Sequence, residues 1–352
     1  MPLPEKALIA QIRRMARLTR AGGQECPPHM DKSRRTGVSA PHGQGQADRA
    51  RPTQILTGIG DDCAVLRVLP DRDFLLTTDF TLEGIHFRRD WHPAESVGHR
   101  CLARGLSDIA AMGGEPVAAF LSLALPRDLP QAWVERFMRG LLALAQKYDV
   151  TLAGGDTAES PNGILADIIV VGRTPRGKSV LRSAAHPGDR IFVSGELGGS
   201  AAAVVEMRAK SRRVRPQDYS RHFYPEPRVE LGRILRQKGL ASAMIDLSDG
   251  LSTDLAHICE ESGVGAEVES AMIPLASIGR PAREVDLDLA LHGGEDYELL
   301  FTARPGKRIP AQIAGVPVTQ IGHITRRRKI FVMNPKGIGY ELAPRGWEHF
   351  RR

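Results

Sequence analysis

Apolar residues recur along the chain with two different spacings, which predict helices in some stretches and strands in others. Within residues 4–20, a helical spacing places the apolar side chains on one face, and these are Leu8, Ile9, Ile12, Met15 and Leu18. From residue 21 to about residue 54 the chain is rich in Gly, Pro, Ser, Arg and Gln. Such a stretch buries too little apolar surface to offset its ordering entropy. Residues 1–57 are therefore predicted to hold one helix and a flexible basic insertion.

From Ile55 onward, strand and helix spacings alternate, which predicts an α/β plus α+β fold and not an all-helical or all-β one. The predicted helices cover residues 94–112, 131–148, 199–208, 227–238 and 251–262. The predicted strands cover residues 64–69, 74–78, 118–125, 164–171, 190–193, 298–302, 316–321 and 329–333. Gly and Pro punctuate residues 173–178, which predicts a boundary between two domains, 58–175 and 176–352.

The distribution of charge argues against a nucleic-acid-binding surface. The 352 residues carry a formal net charge of +7, and residues 1–57, with ten Lys/Arg and four Asp/Glu, account for +6 of it. The basic excess therefore lies in one N-terminal segment and not on a folded recognition face. Nucleic-acid binding by this segment stays an alternative, and a salt-sensitive affinity lost on its deletion would support it.

Other features of the composition limit the location of the protein. No run approaches about 18 uninterrupted apolar residues, so a membrane span is not expected. The four cysteines are far apart and form no CxxC pair, which disfavours a disulfide framework and a thiolate zinc site. The first ten residues lack the long apolar core of a signal peptide. We expect a cytoplasmic protein.

Six acidic motifs in glycine-rich or small-residue surroundings carry the candidate chemistry. They are Gly60-Asp61-Asp62, Thr77-Thr78-Asp79, Ser107-Asp108, Gly154-Gly155-Asp156-Thr157, Asp246-Leu247-Ser248-Asp249-Gly250 and Gly293-Gly294-Glu295-Asp296. A single Gly-Asp pair is an ordinary turn, and a single Asp at a helix start is an ordinary N-cap. Six such motifs beside apolar runs favour convergence of carboxylates in one crevice. Because hard oxygen ligands select Mg²⁺, we expect a nucleotide or phosphate site with several Mg²⁺ ions.

One short motif suggests a different nucleotide site. Residues Gly172 to Ser179 satisfy the pattern GxxxxGK[ST], in which a helix must begin at the lysine. Here Val180 is β-branched and Pro187 follows closely, so at most two helical turns fit. We expect a tight connection between two strands, and keep a P-loop NTPase using Lys178 as a weaker alternative.

Taken together, the motifs resemble those of the thiamine-monophosphate kinase family, within the superfamily that includes aminoimidazole ribonucleotide synthetase and selenophosphate synthetase. The matching segments occur in the family's order and extend from residue 58 to residue 350. They are GIGDDCAVL (58–66), TTDFTLEGIHF (77–87), LSDIAAMGG (106–114), AGGDT (153–157), GKSVLRSAAHPGD (177–189), YPEPRVELG (224–232), IDLSDGLSTDLAHI (245–258), GGEDYELLF (293–301) and GWEHF (346–350).

The resemblance implies a two-domain aminoimidazole ribonucleotide synthetase-like fold whose N-terminal sheet pairs across a homodimer, with ATP in the cleft. The N-terminal domain would bind ATP and Mg²⁺. The implied Mg²⁺ ligands are Asp62, Thr77, Thr78, Asp79, Asp108, Asp156, Asp246 and Asp249. The implied ATP-binding residues are Gly155, Asp156, Arg182 and Ser248. The implied thiamine monophosphate-binding residues are His86, Glu295 and Trp347.

The implied reaction transfers the γ-phosphoryl group of ATP in line to thiamine monophosphate and gives thiamine diphosphate. A phosphate monoester has a second pKa of about 6, so the acceptor is ionised at neutral pH and needs no general base. We expect Arg182 to neutralise charge on the ATP phosphates. The alternative within the superfamily is an ATP-dependent synthetase or kinase that acts on another phosphorylated metabolite.

The chain departs from the family pattern in three places. Arg104-Gly105 stands where Val-Asn is usual, which puts the local backbone and any contact of the missing amide in doubt. Ala184 stands where glycine is usual, so a turn with positive φ there would be strained. The insertion at about residues 21–54 is longer than the family's usual connection.

Overall fold

Two main sheets, built by successive parts of the chain, contain most of the strands in the computed structural model. Structure is described for residues 54–57, 61–67, 69–210 and 214–347, together with residue 7. The predicted helix at residues 4–20 and the insertion at about residues 21–54 lie outside the described residues, except for Ala7 and Gln54. Both therefore stay predictions.

The first sheet has six strands. In chain order these are β1 (Gln54–Thr57), β2 (Ala64–Arg67), β3 (Arg72–Leu82), β4 (Glu115–Leu125), β5 (Thr151–Glu159) and β6 (Leu165–Pro175). Their order across the sheet is β1-β2-β3-β6-β4-β5. The β4–β5 pair is parallel, and the other neighbouring pairs are antiparallel. The glycine-rich β5 thus forms one edge of the sheet.

Strand β3 shows how the sequence gives this sheet one covered face and one open face. Successive side chains of a strand point to opposite faces. Leu75 and Thr77 are buried, whereas Leu76 and Phe80 are exposed. Phe120 of β4 is also exposed and lies on the open face. The alternation therefore directs Thr77 toward the packed interior and leaves an apolar surface on the other side.

The second half of the chain forms a larger sheet and a two-stranded pair. Its strands are β7 (Arg190–Ser194), β8 (Ala243–Asp246), β9 (Gly265–Glu269), β10 (Ser277–Ile278), β11 (Arg283–Glu284), β12 (Leu299–Ala303), β13 (Gln312–Ile313), β14 (Val316–Thr325), β15 (Ile330–Met333) and β16 (Gly339–Glu341). The larger sheet has the order β16-β15-β9-β14-β7-β12-β8, with β13 paired to β14, and β10 pairs with β11. Within it, β9 and β15 are parallel.

Helices cover these sheets, and the first of them is buried on almost every side. The described helices are α1 (Ala94–Ala111), α2 (Gln131–Lys147), α3 (Gly199–Lys210), α4 (Ser220–Phe223), α5 (Val229–Gln237), α6 (Leu251–Ser262) and α7 (Leu287–His292). Single 3₁₀ turns occur at Arg182–Ala184, Pro216–Tyr219 and Ser270–Met272. Helix α1 packs against β3 and β6 on one side and against α5 and β8 on another. Polar side chains on α1 are thereby placed in the interior.

The predicted α/β plus α+β fold class is confirmed, and all five helices predicted between residues 94 and 262 are present. Helix α6 has the predicted bounds, Leu251–Ser262. The elements that were not predicted are strands β1, β5, β8, β9, β10, β11, β13 and β16 and the short helices α4 and α7. In the described part of the chain, no helix is both long and apolar enough to cross a membrane. The domain boundaries at residues 57–58 and 175–176 stay predictions.

The P-loop alternative is wrong, because no helix begins at Lys178. Strand β6 ends at Pro175, and Gly177, with φ of 66°, makes the turn that follows. The amide of Gly177 donates to Asp73 Oδ2 at 2.7 Å. The segment is thus a connection, and it leads to the 3₁₀ turn at Arg182–Ala184.

Candidate active site

Three carboxylates from distant parts of the sequence meet at the end of helix α1 nearest its carboxyl terminus. Asp62 comes from the loop before β2, Asp108 from α1, and Asp246 from the last position of β8. One oxygen of each lies within 4.8 Å of the others. Asp62 and Asp246 are buried and Asp108 is half-buried. The predicted convergence of separate acidic motifs therefore occurs for these three.

Burial and mutual repulsion make the ionised form of these clustered carboxylates unfavourable. Burial raises the pKa of Asp108 well above its ordinary value, and nearby carboxylates, Asp79 first, raise it further. Burial and the charge of Asp62 raise the pKa of Asp246 in the same way, against the hydrogen bond from Ser107 and the charge of Arg182. A divalent cation would relieve this repulsion, and a set of carboxylate oxygens fits Mg²⁺.

Residues of β3 and α1 support the cluster. The Thr77 hydroxyl donates to Asp108 Oδ2. Asp79, two positions along the strand and on the same face, lies close enough to Asp108 for the two carboxylates to interact. Ser107 Oγ donates to Asp246 Oδ2 at 2.7 Å. The structure thus brings the predicted residues Thr77 and Asp79 to the cluster, and adds Ser107.

Thr78, between these two residues, faces the opposite side of the sheet. Its hydroxyl donates to Asp167 Oδ1 of β6 at 2.7 Å. This direction follows from the alternation of side chains along a strand. The predicted ligand side chain of Thr78 is therefore not brought to the cluster, although its backbone lies beside that of Thr77.

The predicted nucleotide-binding residues Gly155 and Asp156 also lie apart from the cluster. They belong to exposed β5, three strands from β3, so the two backbones are separated by about 14 Å at the usual strand spacing. Asp156 pairs in register with Ser122 of β4 and shares the open face with Asp167. Within one copy of the chain, Asp156 is therefore not a ligand of the same ion as Asp108.

Arg182 places a positive charge beside the cluster. Its Nε and one terminal nitrogen donate to the two oxygens of Asp62 at 2.9 and 2.7 Å. Its backbone amide donates to Asp61 Oδ2 at 3.3 Å. Burial and the neighbouring Asp62 raise the pKa of Asp61 to about 7, although Arg182 opposes that rise. Ala184, in the same 3₁₀ turn, is not among the described residues with positive φ, so the strain considered there does not arise.

Two glycine-rich loops of the second half of the chain are fastened together at the site. The amide of Glu295 donates to the Ser248 carbonyl at 2.8 Å, and the amide of Tyr297 donates to the Leu247 carbonyl at 2.9 Å. A Cβ atom on Gly294 would come within 2.3 Å of the Ser248 carbonyl oxygen, so glycine is required for this approach. The predicted ATP-binding residue Ser248 and the predicted substrate-binding residue Glu295 are therefore held in fixed relation.

Two arginines of helix α1 converge on Glu295. Arg100 and Arg104 each donate to its Oε1 at 2.6 Å. Although burial alone would raise the pKa of Glu295, the two guanidinium groups lower it well below its ordinary range. Glu295 and Tyr297 adopt positive φ, 63° and 51°, which is uncommon for residues other than glycine. The carboxylate is thus held ionised on a loop with an unusual backbone.

The remaining predicted residues lie at the borders of this region. His86 follows β3, and its Nδ1 accepts the Leu82 amide at 2.9 Å, a local hydrogen bond. Asp249 lies in the loop between β8 and α6, and its carbonyl accepts the Trp347 amide at 3.1 Å. Trp347 is 48% exposed. The structure does not place the side chain of Asp249 among the three clustered carboxylates.

Arg100 and Arg104 are residues of the site that no sequence motif indicated. A signal was present, because Arg100, Arg104 and Asp108 recur every four residues and so lie along one face of α1. Such a polar stripe on a helix whose other residues are mostly apolar indicates buried partners. Glu295, the shared partner, lies 191 residues from Arg104 in the chain, and no local pattern connects them.

Comparisons with known proteins show which sequences this chain is similar to. Residues 60–174 match the family model "AIR synthase related protein, N-terminal domain", and residues 186–333 match "AIR synthase related protein, C-terminal domain". The thiamine-monophosphate kinase of Escherichia coli K12 is 39% identical over 315 residues, which are 86% of this chain and 95% of that protein. The resemblance inferred from the motifs is confirmed.

Solved structures extend the similarity to the fold. The structure of AaThiL complexed with AMPPCP and TMP superposes with a TM-score of 0.73 at 34% identity, covering 83% of this chain and 92% of that one. Thiamine-monophosphate kinase from Stenotrophomonas maltophilia K279a gives a TM-score of 0.67 at 37% identity, covering 79% and 90%. The expected two-domain fold is confirmed by these matches.

Proposed function

This chain belongs to the thiamine-monophosphate kinase family of AIR synthase related proteins, and on that premise we propose that it phosphorylates thiamine monophosphate with ATP. The γ-phosphoryl group of ATP passes to the phosphate of the acceptor, which gives thiamine diphosphate and ADP. A relative solved with AMPPCP, a non-hydrolysable analogue of ATP, and with TMP supports both substrates. The observation that carries the proposal is the convergence of Asp62, Asp108 and Asp246 beside Arg182.

Magnesium is the cofactor that this donor set fits. The proposed ligands at the cluster are Asp62, Thr77, Asp79, Asp108 and Asp246, with Thr78, Asp156 and Asp249 as further ligands implied by the family. When bound, Mg²⁺ neutralises charge on the phosphates and orients them for in-line transfer. The buried carboxylates have few compensating positive charges of their own, and this deficit is what supports a cation there.

The reaction requires positioning and charge neutralisation more than proton transfer. The acceptor phosphate has a second pKa of about 6 and is already ionised at neutral pH, so no general base is required. Arg182 neutralises charge on the ATP phosphates, a role that its position against Asp62 supports. Ser248 and Gly155 contact the nucleotide. His86, Glu295 and Trp347 bind thiamine monophosphate, with Trp347 as an aromatic wall for the cationic thiazolium ring.

A homodimer completes the proposal. The open face of the first sheet exposes Leu76, Phe80 and Phe120, apolar side chains that a second copy would cover. Asp156 shares this face and lies far from the cluster of its own chain. Pairing of two such sheets would carry Gly155 and Asp156 toward a cleft shared by both copies. The buried free thiols of Cys63, Cys101 and Cys259 are consistent with the cytoplasmic location that we propose.

The proposal is tested by incubating the purified protein with ATP, MgCl₂ and thiamine monophosphate and separating the products by chromatography. We expect thiamine diphosphate and ADP in equal amounts, and none when EDTA replaces MgCl₂. A folded protein that forms no thiamine diphosphate but consumes another phosphorylated metabolite would show the superfamily alternative to be correct. Sedimentation of the same sample measures the dimer.

A further inference from the structure

We propose that Arg104 is a positioning residue that fixes Glu295, and through it the acceptor substrate, relative to the metal-binding strand β3. This inference rests on the proposed function, because Glu295 is there assigned to thiamine monophosphate. Arg104 stands where the resemblance implies valine. It is therefore a feature of this chain and not one carried over from the family pattern.

The contacts of Arg104 join two parts of the site. One terminal nitrogen donates to Glu295 Oε1 at 2.6 Å, and the other donates to the Phe80 carbonyl at 3.2 Å. Phe80 directly follows Asp79, a proposed metal ligand, in β3. A planar guanidinium that donates to two acceptors at once restricts the position of one acceptor relative to the other. The substrate loop and the metal-binding strand are thereby joined through one side chain.

Helix α1 supplies a rigid support for this link. Arg100, Arg104 and Asp108 are four residues apart, so their Cα atoms follow one another along one face at about 6 Å intervals. Arg100 and Arg104 hold Glu295, whereas Asp108 belongs to the carboxylate cluster. Arg104 lies between the two groups. Because both contacts are made from one buried helix, the distance between Glu295 and the carboxylate cluster is more nearly fixed than loops alone would make it.

Ordinary structural pairing does not explain Arg104 fully. Arg100 already neutralises Glu295 through the same oxygen, Oε1. Arg104 Nε is buried and, among the described residues, has no hydrogen-bond partner, and a buried donor without a partner is unfavourable. Gly105, the next residue, is needed as well, since a Cβ atom there would lie 2.5 Å from Val170 Cγ2. We therefore expect Arg104, the second arginine, to fix the position of Glu295 and not merely to balance its charge.

Steady-state kinetics of Arg104→Met test the inference. The neutral side chain is of similar length, so the cavity stays filled while both hydrogen bonds are lost. We expect the KM for thiamine monophosphate to rise about tenfold and the KM for ATP to change less than about twofold. Arg104→Lys should recover part of the loss, because the ammonium reaches Glu295 but cannot hold Phe80 at the same time.

A double-mutant cycle separates positioning from a general structural role. If Arg104 acts through Glu295, adding Arg104→Met to Glu295→Gln should raise the KM for thiamine monophosphate by less than about twofold more. Arg228→Met is the control, since Arg228 likewise pairs with a glutamate, here the buried Glu298, with Nε to Oε2 at 2.6 Å. The control should lower the melting temperature and leave the ratio of the two KM values unchanged.

The outcomes distinguish this inference from the proposed function. A wild-type protein that forms no thiamine diphosphate refutes both. An active wild type overturns this inference alone if Arg104→Met leaves the acceptor KM unchanged, if it alters both KM values equally, or if its effect multiplies that of Glu295→Gln. Should Arg104→Met fail to fold, the same comparison applies to Arg104→Lys. The acceptor KM of that variant should then rise, and an unchanged value would overturn the inference.

Discussion

Helix α1 connects the carboxylate cluster with a single carboxylate, Glu295, and the pKa values in the two regions are shifted in opposite directions. At the cluster, burial and repulsion raise the pKa of Asp108 and Asp246. A few turns away, Arg100 and Arg104 lower the pKa of Glu295 despite its burial. The three carboxylates of the cluster have one paired guanidinium, Arg182, whereas the single carboxylate of Glu295 has two, Arg100 and Arg104. Under the proposed function, the same functional group would hold a metal in one region and an organic substrate in the other.

The largest effect is expected from Asp246→Asn, which removes one charge from the cluster. We expect kcat to fall about 10³-fold, as for loss of a principal electrostatic contact in a transition state. Without divalent cations the same change should raise the free energy of unfolding by about 1 kcal/mol, because it relieves repulsion between like charges. Steady-state kinetics and urea unfolding in EDTA measure the two effects.

Asp189→Asn is the matched control for that experiment. Asp189 is equally buried but is paired with Arg304 at 3.2 Å and with Ser242 Oγ at 2.7 Å. Its substitution should lower the free energy of unfolding. If Asp246→Asn also lowered it in EDTA, the cluster would not be short of positive charge, and the contrast between the two regions would fail.

A smaller effect is expected in the pH dependence of stability on the substrate side. Burial and the nearby Arg100 lower the pKa of His92 from 6.5 to about 4. The folded state then binds the proton less tightly than the unfolded state. Its stabilising contribution is present above about pH 6.5 and is lost as the pH falls toward 4, by about 3 kcal/mol. His92→Gln should therefore lose less stability than the wild type between these pH values in urea titrations.

The carboxylate cluster should show the opposite sign in the same titrations. A carboxyl group whose pKa is raised in the folded state binds protons more tightly there, so its contribution is lost as the pH rises. Asp246→Asn in EDTA should therefore gain most over the wild type near neutral pH and least in acid. An equal gain at every pH would show that repulsion is not its origin.

Local patterns predicted the parts of the fold whose own sequence decides them. Helix α6 was predicted residue for residue because its apolar spacing is regular and Gly263 follows its last turn. Strand β5 was missed because TLAGGDTAE contains two glycines and few β-branched residues. It is a strand because β4 pairs with it along its length. Neighbouring strands, and not intrinsic preference, determine such an edge.

The site divides along the same line. Asp62, Asp108 and Asp246 were predicted because each stands in a recognisable glycine-rich or small-residue motif. Thr78 was grouped with Thr77 because the two are adjacent in sequence, although adjacent strand residues face opposite sides. In the sequence Arg104 stands out only as a departure from the family pattern. Its contact with Glu295 is not predictable, since the two residues are distant in the chain. Motifs thus predict which groups are available, and packing decides which of them meet.

A modest effect is expected from Gly105→Ala, beside the link between the two regions. Its Cβ atom would lie 2.5 Å from Val170 Cγ2 and push α1 away from β6. Overpacking costs about 1–3 kcal/mol, and the better helix propensity of alanine returns about 1 kcal/mol, so a net loss of about 1 kcal/mol is expected. Urea unfolding measures it. Adding Val170→Ala should restore stability, and Gly306→Ala, where no atom lies within 4 Å of the added Cβ, serves as the control.

The smallest effect is expected from Lys178→Ala, because Lys178 belongs to neither region. It is exposed in the turn after β6, and its amide donates to the Pro175 carbonyl at 3.0 Å, so the substitution retains that backbone contact. We expect the KM for ATP to change less than about twofold. A near-complete loss of ATP binding would instead place the nucleotide at residues 172–179. Since that segment carries no helix amino terminus at Lys178 to hold phosphates, such a result would require the phosphates to bind there without one.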